Sequence, residues 1–149
     1  MLRPPNPIDK YLWHPLQAVA ALFFYLTFKA LPLDAASAAG GYLARAVGPK
    51  LRVSRRAKRN IQRALPEIDA GAVDGVVRDM WDNLGRTVAE FPHLGELDFG
   101  GPEARVHVTG MEHFDALRND DAGGIFFSAH LGNWEICPAF AAAHGMELD

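Results

Sequence analysis

The sequence predicts an α/β protein in which N-terminal helices lead into the start of an α/β domain, truncated where the chain stops. Three observations predict it. Residues 16–28 (LQAVAALFFYLTF) are apolar apart from Gln17 and Thr27; residues 73–91 repeat apolar side chains at helical spacing; and the short apolar run 124–128 (GIFFS) precedes a further helical stretch at 133–144. With 149 residues, 49% of them apolar, the chain is long enough for one globular domain and shows no compositional sign of disorder. Its single cysteine, Cys137, cannot close an internal disulfide and has no Cys or His at metal-ligand spacing. Neither a metal nor a cofactor is expected, and Cys137 is expected to be a buried structural thiol.

The 13 residues of 16–28 would make a helix of about 20 Å, short of the roughly 30 Å hydrocarbon core of a bilayer. A helix over 12–33, with Tyr11 and Trp13 at one interface and Lys29 at the other, would reach about 33 Å and span with a tilt. An N-terminal membrane anchor over 1–33 is therefore expected, either spanning or lying in the interface. Two readings compete with it. One is a cleaved signal peptide, with Arg3 and Lys10 ahead of the apolar stretch and Ala36-Ser37-Ala38 as the cleavage site; the other is a buried helix of a soluble domain.

Charge separates the two ends of the chain. Residues 1–66 carry 11 Lys and Arg against 2 acids, and residues 67–149 carry 4 against 16. Within a helical region expected over 34–98, the block 50–63 (KLRVSRRAKRNIQR) has 7 basic residues in 14 and no acid. Such a block seeks an anionic surface, and its position just after the apolar stretch points to anionic membrane lipids on the cytoplasmic side. It also disfavours export, and nucleic acid is not expected, because no recognition module or aromatic platform accompanies the block.

Pro66 ends the basic helix. From there Val73, Val76, Val77, Met80, Trp81, Leu84, Val88 and Phe91 recur at three and four, marking the core face of an amphipathic helix that Pro92 closes. Asp74, Arg78, Asp79, Asp82 and Arg86 fall on the wetter side. Gly100-Gly101-Pro102 breaks the pattern and opens the α/β part, expected over 99–149. Residues 105–108 alternate like a strand, 112–118 read as a short helix, 119–124 as a turn, 124–128 as a buried strand and 133–144 as a helix stopped by Gly145. A strand, a tight turn and a helix is where α/β proteins place a functional loop.

Into that turn falls Ser128-Ala129-His130-Leu131-Gly132-Asn133-Trp134-Glu135. A histidine with an acid after four intervening residues is an acyltransferase signature, yet 4 of the 6 histidines here satisfy it: His93 with Asp98, His107 with Glu112, His130 with Glu135 and His144 with Asp149. Setting separates them. His93 falls in a loop after Pro92, His107 inside an expected strand and His144 at a helix end, whereas His130 follows a buried strand and faces a helix N-terminus.

A hydroxyl becomes a useful nucleophile when a base takes its proton, and a neutral imidazole with a pKa of about 6.5 can do so near neutral pH. A carboxylate that accepts from the other ring nitrogen fixes the tautomer and stabilises the imidazolium. Glu135 in the first turn of a helix would stay ionised in the field of the helix dipole. Gly132 permits a tight turn, and the free amides at the helix start suit a phosphate or a developing oxyanion. The same residues also have a purely structural reading, with His130 a satisfied histidine, Glu135 a first-turn acid, Asn133 an N-cap and Trp134 core. Ser128 lacks the flanking glycines of a nucleophile elbow.

Several segments in order carry a family resemblance: the N-terminal apolar stretch, RRAKRNIQRALPE (55–67), MWDNLGRTVAEF (80–91), VHVTGMEHFDAL (106–117) and GGIFFSAHLGNWEI (123–136). Together they resemble the lipid A lauroyl and myristoyl acyltransferases. The resemblance implies an O-acyltransferase of lipid A biosynthesis, with His130 as general base and Glu135 as its partner. It implies an acyl carrier protein thioester as donor and a hydroxyl of a Kdo-bearing lipid A precursor as glycolipid acceptor. Gly132, Asn133, Arg55, Arg56 and Arg59 are the expected substrate-binding residues. Members of this family continue beyond the point reached here, so the chain is expected to be an N-terminal part that is inactive alone. Two alternatives stay open: an acyltransferase for another acceptor, such as a phosphatidylinositol mannoside or an ornithine lipid, and a membrane-associated fragment without chemistry.

Overall fold

The computed structural model describes residues 8–119 and 124–146, and among these the regular structure is entirely helical. The α/β expectation is thereby corrected. A π-helical turn, Asp9–Trp13, leads into α1 (His14–Lys29), followed by α2 (Leu33–Val47), α3 (Arg52–Ala64), α4 (Ala70–Glu90), α5 (Met111–Arg118) and α6 (Ile136–Ala143). Short 3-10 turns, Gly48–Lys50 and Phe91–Glu96, join α2 to α3 and prolong α4.

Local chemistry sets these boundaries. Pro32 removes a helical N–H and restricts Leu31, so α1 stops at Lys29 and α2 starts anew at Leu33 with Asp34 in its first turn. Leu65, ahead of Pro66, leaves the helical region and ends α3. Asp69 caps α4 by accepting from the Gly71 N–H, and Gly110, at φ 78°, turns the chain into α5. The continuous helix expected over 12–33 is therefore two helices. At 16 residues α1 is about 24 Å long, and among the described residues no helix is long and apolar enough to cross a membrane.

The centre of the fold is the antiparallel pair α2 and α4. Ser37 meets Glu90, Gly40 meets Gly85 and Ala89, Gly41 meets Arg86, and Arg45 pairs with Asp79 at 3.2 Å. Glycine is required at the crossing. A Cβ on Gly40 would strike Ala89 and the Gly85 carbonyl, and one on Gly85 would strike the Gly40 carbonyl and Ala44. Phe28 of α1 caps this contact beside the fully buried Ala36 and Ala89. Burial on α4 only partly follows the expected stripe: Val73 and Val77 are buried with Thr87 and Ala89, whereas Val76, Met80 and Phe91 are exposed. Gly85 and Ala89 carry the closest approach because small side chains, rather than large ones, let two helix backbones meet.

At the other end of the pair, the Trp81 indole lies over Gly48 and donates to Ser54 Oγ at 2.8 Å, and Ser54 donates to the Gly48 carbonyl at 2.7 Å. This buried chain of hydrogen bonds, with the Lys58–Asp74 ion pair, docks α3 on α4.

The C-terminal region departs furthest from expectation. Residues 105–108 and 124–128 form no strand, and Ile125 and Phe127 are 78% and 93% exposed. An apolar run supplies side chains for a sheet but no partner for its own N–H and C=O groups, and the two strand-like segments do not pair. Residues 120–123, in the expected turn, lie outside the described residues. What packs instead is aromatic. Phe140 of α6 stands edge-on to Phe114 of α5 at 5.1 Å and to Phe99 at 5.5 Å, with His144 stacked on Phe140 at 4.2 Å.

Polar ties close the fold. Lys29 donates to the Pro92 carbonyl and to Glu96, the buried His93 contacts the Phe28 carbonyl and Glu96, and Arg105 forms a bidentate pair with Asp34. The hydrogen bond from Arg105 holds the Asp34 carboxyl below the usual carboxylate range, and that from Lys29 does the same for Glu96. Each keeps its charge to lower pH in the fold than in the unfolded chain. The stabilisation is thus complete above about pH 5 and is lost as pH falls through the lowered native values. Between pH 5 and pH 3 the thermal midpoint is expected to fall less in an Asp34→Asn, Glu96→Gln variant than in the parent. An equal fall in both would show that these pairs contribute nothing.

Candidate active site

Segment 128–135 runs without regular structure into α6. Gly132 adopts φ 56°, a left-handed conformation that favours glycine, and reverses the chain after the exposed Leu131. His130 is exposed, and its ring stacks on Trp134 with centroids 4.5 Å apart. Glu135 occupies the residue immediately before α6, and its Oε1 accepts from Trp134 Nε1 at 2.8 Å. The same indole thus holds both expected catalytic residues. They are not hydrogen-bonded to each other, and Glu135 Oε2 has no hydrogen-bond partner among the described residues.

Gly132 and Asn133 are anchored to α4. The Gly132 carbonyl accepts from the buried Thr87 Oγ1 at 3.3 Å, and Asn133 Nδ2 donates to Glu90 Oε2 at 2.8 Å. Glu90 in turn accepts from Ser37 Oγ of α2 through Oε1, at 2.6 Å. Asn133 is not the expected helix cap, because α6 begins only at Ile136 with Glu135 in the cap position; the Asn133 side chain turns to Glu90 instead. A cavity of about 170 Å³ opens beside this bridge, lined in part by Asp34, Ser37, Glu90, Arg105, Asn133 and Ile136. Cys137, expected to be buried, is exposed; Ser128 Oγ lies 3.8 Å from its Sγ.

Arg55, Arg56 and Arg59 are exposed on α3 and are not brought to the segment. α3 meets α4 at Trp81 and Asp74, whereas the segment meets α4 at Thr87 and Glu90. Asp74 and Glu90 are about 24 Å apart along a helix rising about 1.5 Å per residue. Of the other histidines at the shared spacing, two have structural surroundings and one has none among the described residues. His93 is buried against the Phe28 carbonyl and Glu96, His144 stacks on Phe140, and His107 stands exposed in the irregular segment before α5.

The family model described as bacterial lipid A biosynthesis acyltransferase matches residues 8–148. The chain belongs to that family. It is a lipid A biosynthesis acyltransferase by family, and the match takes in the α2–α4 pair, the basic helix and segment 128–135 alike. No curated protein and no solved structure matched it.

Sequence reasoning missed Ser37, Thr87 and Glu90 of this acyltransferase. Glu90 sits in the stretch MWDNLGRTVAEF, whose periodicity marks a core helix and gives a carboxylate at its end no special weight. The available signal was the pair Thr87 and Glu90, three apart and therefore on one face of α4, flanking the apolar stripe.

Proposed function

We propose that this acyltransferase moves a fatty acyl chain from acyl carrier protein to a hydroxyl of a Kdo-bearing lipid A precursor, with His130 as general base and Glu135 as its partner. The observation that carries the proposal is the setting of His130. It is an exposed imidazole on a glycine-opened loop at the start of a helix, stacked on the indole that also holds Glu135, whose second oxygen has no partner among the described residues, in a chain of the lipid A acyltransferase family.

In the proposed step His130 takes the hydroxyl proton as the oxygen attacks the thioester carbonyl. The tetrahedral intermediate collapses with loss of the carrier thiolate, which recovers the proton from the imidazolium. For this step Glu135 Oε2 has to come to the second imidazole N–H, a hydrogen bond not formed in this structure, while Oε1 stays on Trp134.

The enzyme works at the cytoplasmic face of the inner membrane. Leu12, Trp13, Leu16, Val19, Leu22 and Phe23 are all more than half exposed on and just before α1, and a helix apolar all round belongs in an apolar medium. An open groove of about 350 Å³ between α1, α2 and α4, lined by Phe28, Leu43, Val47, Trp81 and Leu84 among others, continues that apolar surface. Of the α3 cations, Lys58 pairs with Asp74; Arg55, Arg56 and Arg59 have no ion-pair partner among the described residues and are open to phosphates of headgroups or of the glycolipid.

Full-length protein is expected to transfer acyl chains from an acyl carrier protein thioester to a Kdo-bearing precursor far faster than to phosphatidylglycerol or an ornithine lipid. It is also expected to pellet with membranes at moderate salt. Preference for another acceptor would refute the assigned substrate, and a protein that stays in the supernatant would refute the membrane assignment.

A further inference from the structure

Both hydrogen bonds that join segment 128–135 to the α2–α4 pair, among the described residues, come from the last turn of α4. Thr87 donates to the Gly132 carbonyl and Glu90 accepts from Asn133. We infer that Thr87 and Glu90 are positioning residues of the transfer site, with Ser37 orienting Glu90. The inference rests on the reading of His130 as the base.

The geometry is a relay from the closely packed α2–α4 pair to the loop. α2 and α4 are locked by the Gly40–Gly85 contact, so Ser37 and Glu90 face each other across a fixed interface. Ser37 occupies Glu90 Oε1 and leaves Oε2 for the loop. A carboxylate only accepts, so Asn133 must present its NH2 group to Glu90. Its Oδ1 is then left buried and without a hydrogen-bond partner among the described residues. An amide that leaves a buried acceptor unpaired is oriented by its partner and not by its own best hydrogen bonding. Thr87 grips the neighbouring residue, Gly132, at the point where the left-handed turn sets the direction of the chain between His130 and Glu135. Loss of either grip frees the turn, and displacements of about 1 Å in reacting groups cost about a hundredfold in rate.

The test uses full-length Glu90→Ala, Glu90→Gln and Thr87→Val proteins, with His130→Ala alongside. Glu90→Ala is expected to lower kcat about 10- to 100-fold while KM for the carrier-protein thioester stays within about threefold. Glu90→Gln, whose carbonyl still accepts from Asn133, should restore kcat to within about fivefold of the parent. Hydrogen exchange in a peptide covering 128–136 should accelerate in Glu90→Ala and in Thr87→Val, a readout that does not depend on the chemistry. Parental kcat in Glu90→Ala beside an inactive His130→Ala overturns the positioning role and leaves the base in place. An active His130→Ala overturns the base, and with it the catalytic sense of the positioning. Unchanged exchange across 128–136 in folded Glu90→Ala and Thr87→Val overturns the grip itself.

Discussion

Replacing His130 by alanine in the full-length protein is expected to lower acyl transfer by about a hundredfold to ten-thousandfold, the usual contribution of a positioned general base. The protein should remain folded. His130 is exposed and, among the described residues, its ring contacts only Trp134, so the thermal midpoint should move by no more than about 2 °C, as for other surface substitutions. Glu135→Ala is expected to cost about 10- to 100-fold, because it removes the group that orients the imidazole and keeps the base itself. His93→Ala gives the opposite pattern. His93 is 5% exposed and bonded to the Phe28 carbonyl, so its loss should lower the thermal midpoint with little direct effect on turnover per folded molecule. Turnover from acyl carrier protein, set beside thermal unfolding, thus separates two histidines that share the same spacing to an acid. Unchanged turnover in His130→Ala would remove this residue from the chemistry.

Gly85→Ala is expected to destabilise the protein by about 2–3 kcal/mol or more, and Gly40→Ala by a similar amount. Each methyl would meet backbone or a short side chain of the facing helix, and neither α2 nor α4 can yield without losing the packing of Ala36 and Ala89. Gly75→Ala on the same helix should act with the opposite sign. A Cβ there meets nothing within 4 Å, so the substitution removes unfolded-chain entropy and should stabilise by about 0.5–1 kcal/mol. Chemical denaturation of the three variants tests this directly. Equal effects at positions 75 and 85 would mean that α2 and α4 do not approach as closely as described.

The helices were largely legible because their signals are local. Apolar periodicity over 73–91, the stops at Pro66 and Pro92 and the short helix after Gly110 all correspond to observed elements. Pro32 was legible too. Placing the end of the first helix at Leu33 underweighted it, and with it the division of 12–33 into two helices. The expected strands at 105–108 and 124–128 failed for a non-local reason, since a strand exists only where a second segment meets its hydrogen bonds.

The candidate site divides along the same line. By itself the sequence determined the helical punctuation, the charge separation and the family resemblance, because each is written in local segments; its preference for His130 and Glu135 among four similar pairs leaned on a buried strand over 124–128 that the structure does not form. The tertiary structure alone decided that one indole holds both residues, and that Thr87, Glu90 and Ser37 hold the turn between them. It also decided that Arg55, Arg56 and Arg59 lie along a different part of α4 from the site. The physical reason is that hydrogen bonds across 43 or 53 residues of chain depend on two glycines letting α2 and α4 touch, and no local pattern around His130 encodes that contact.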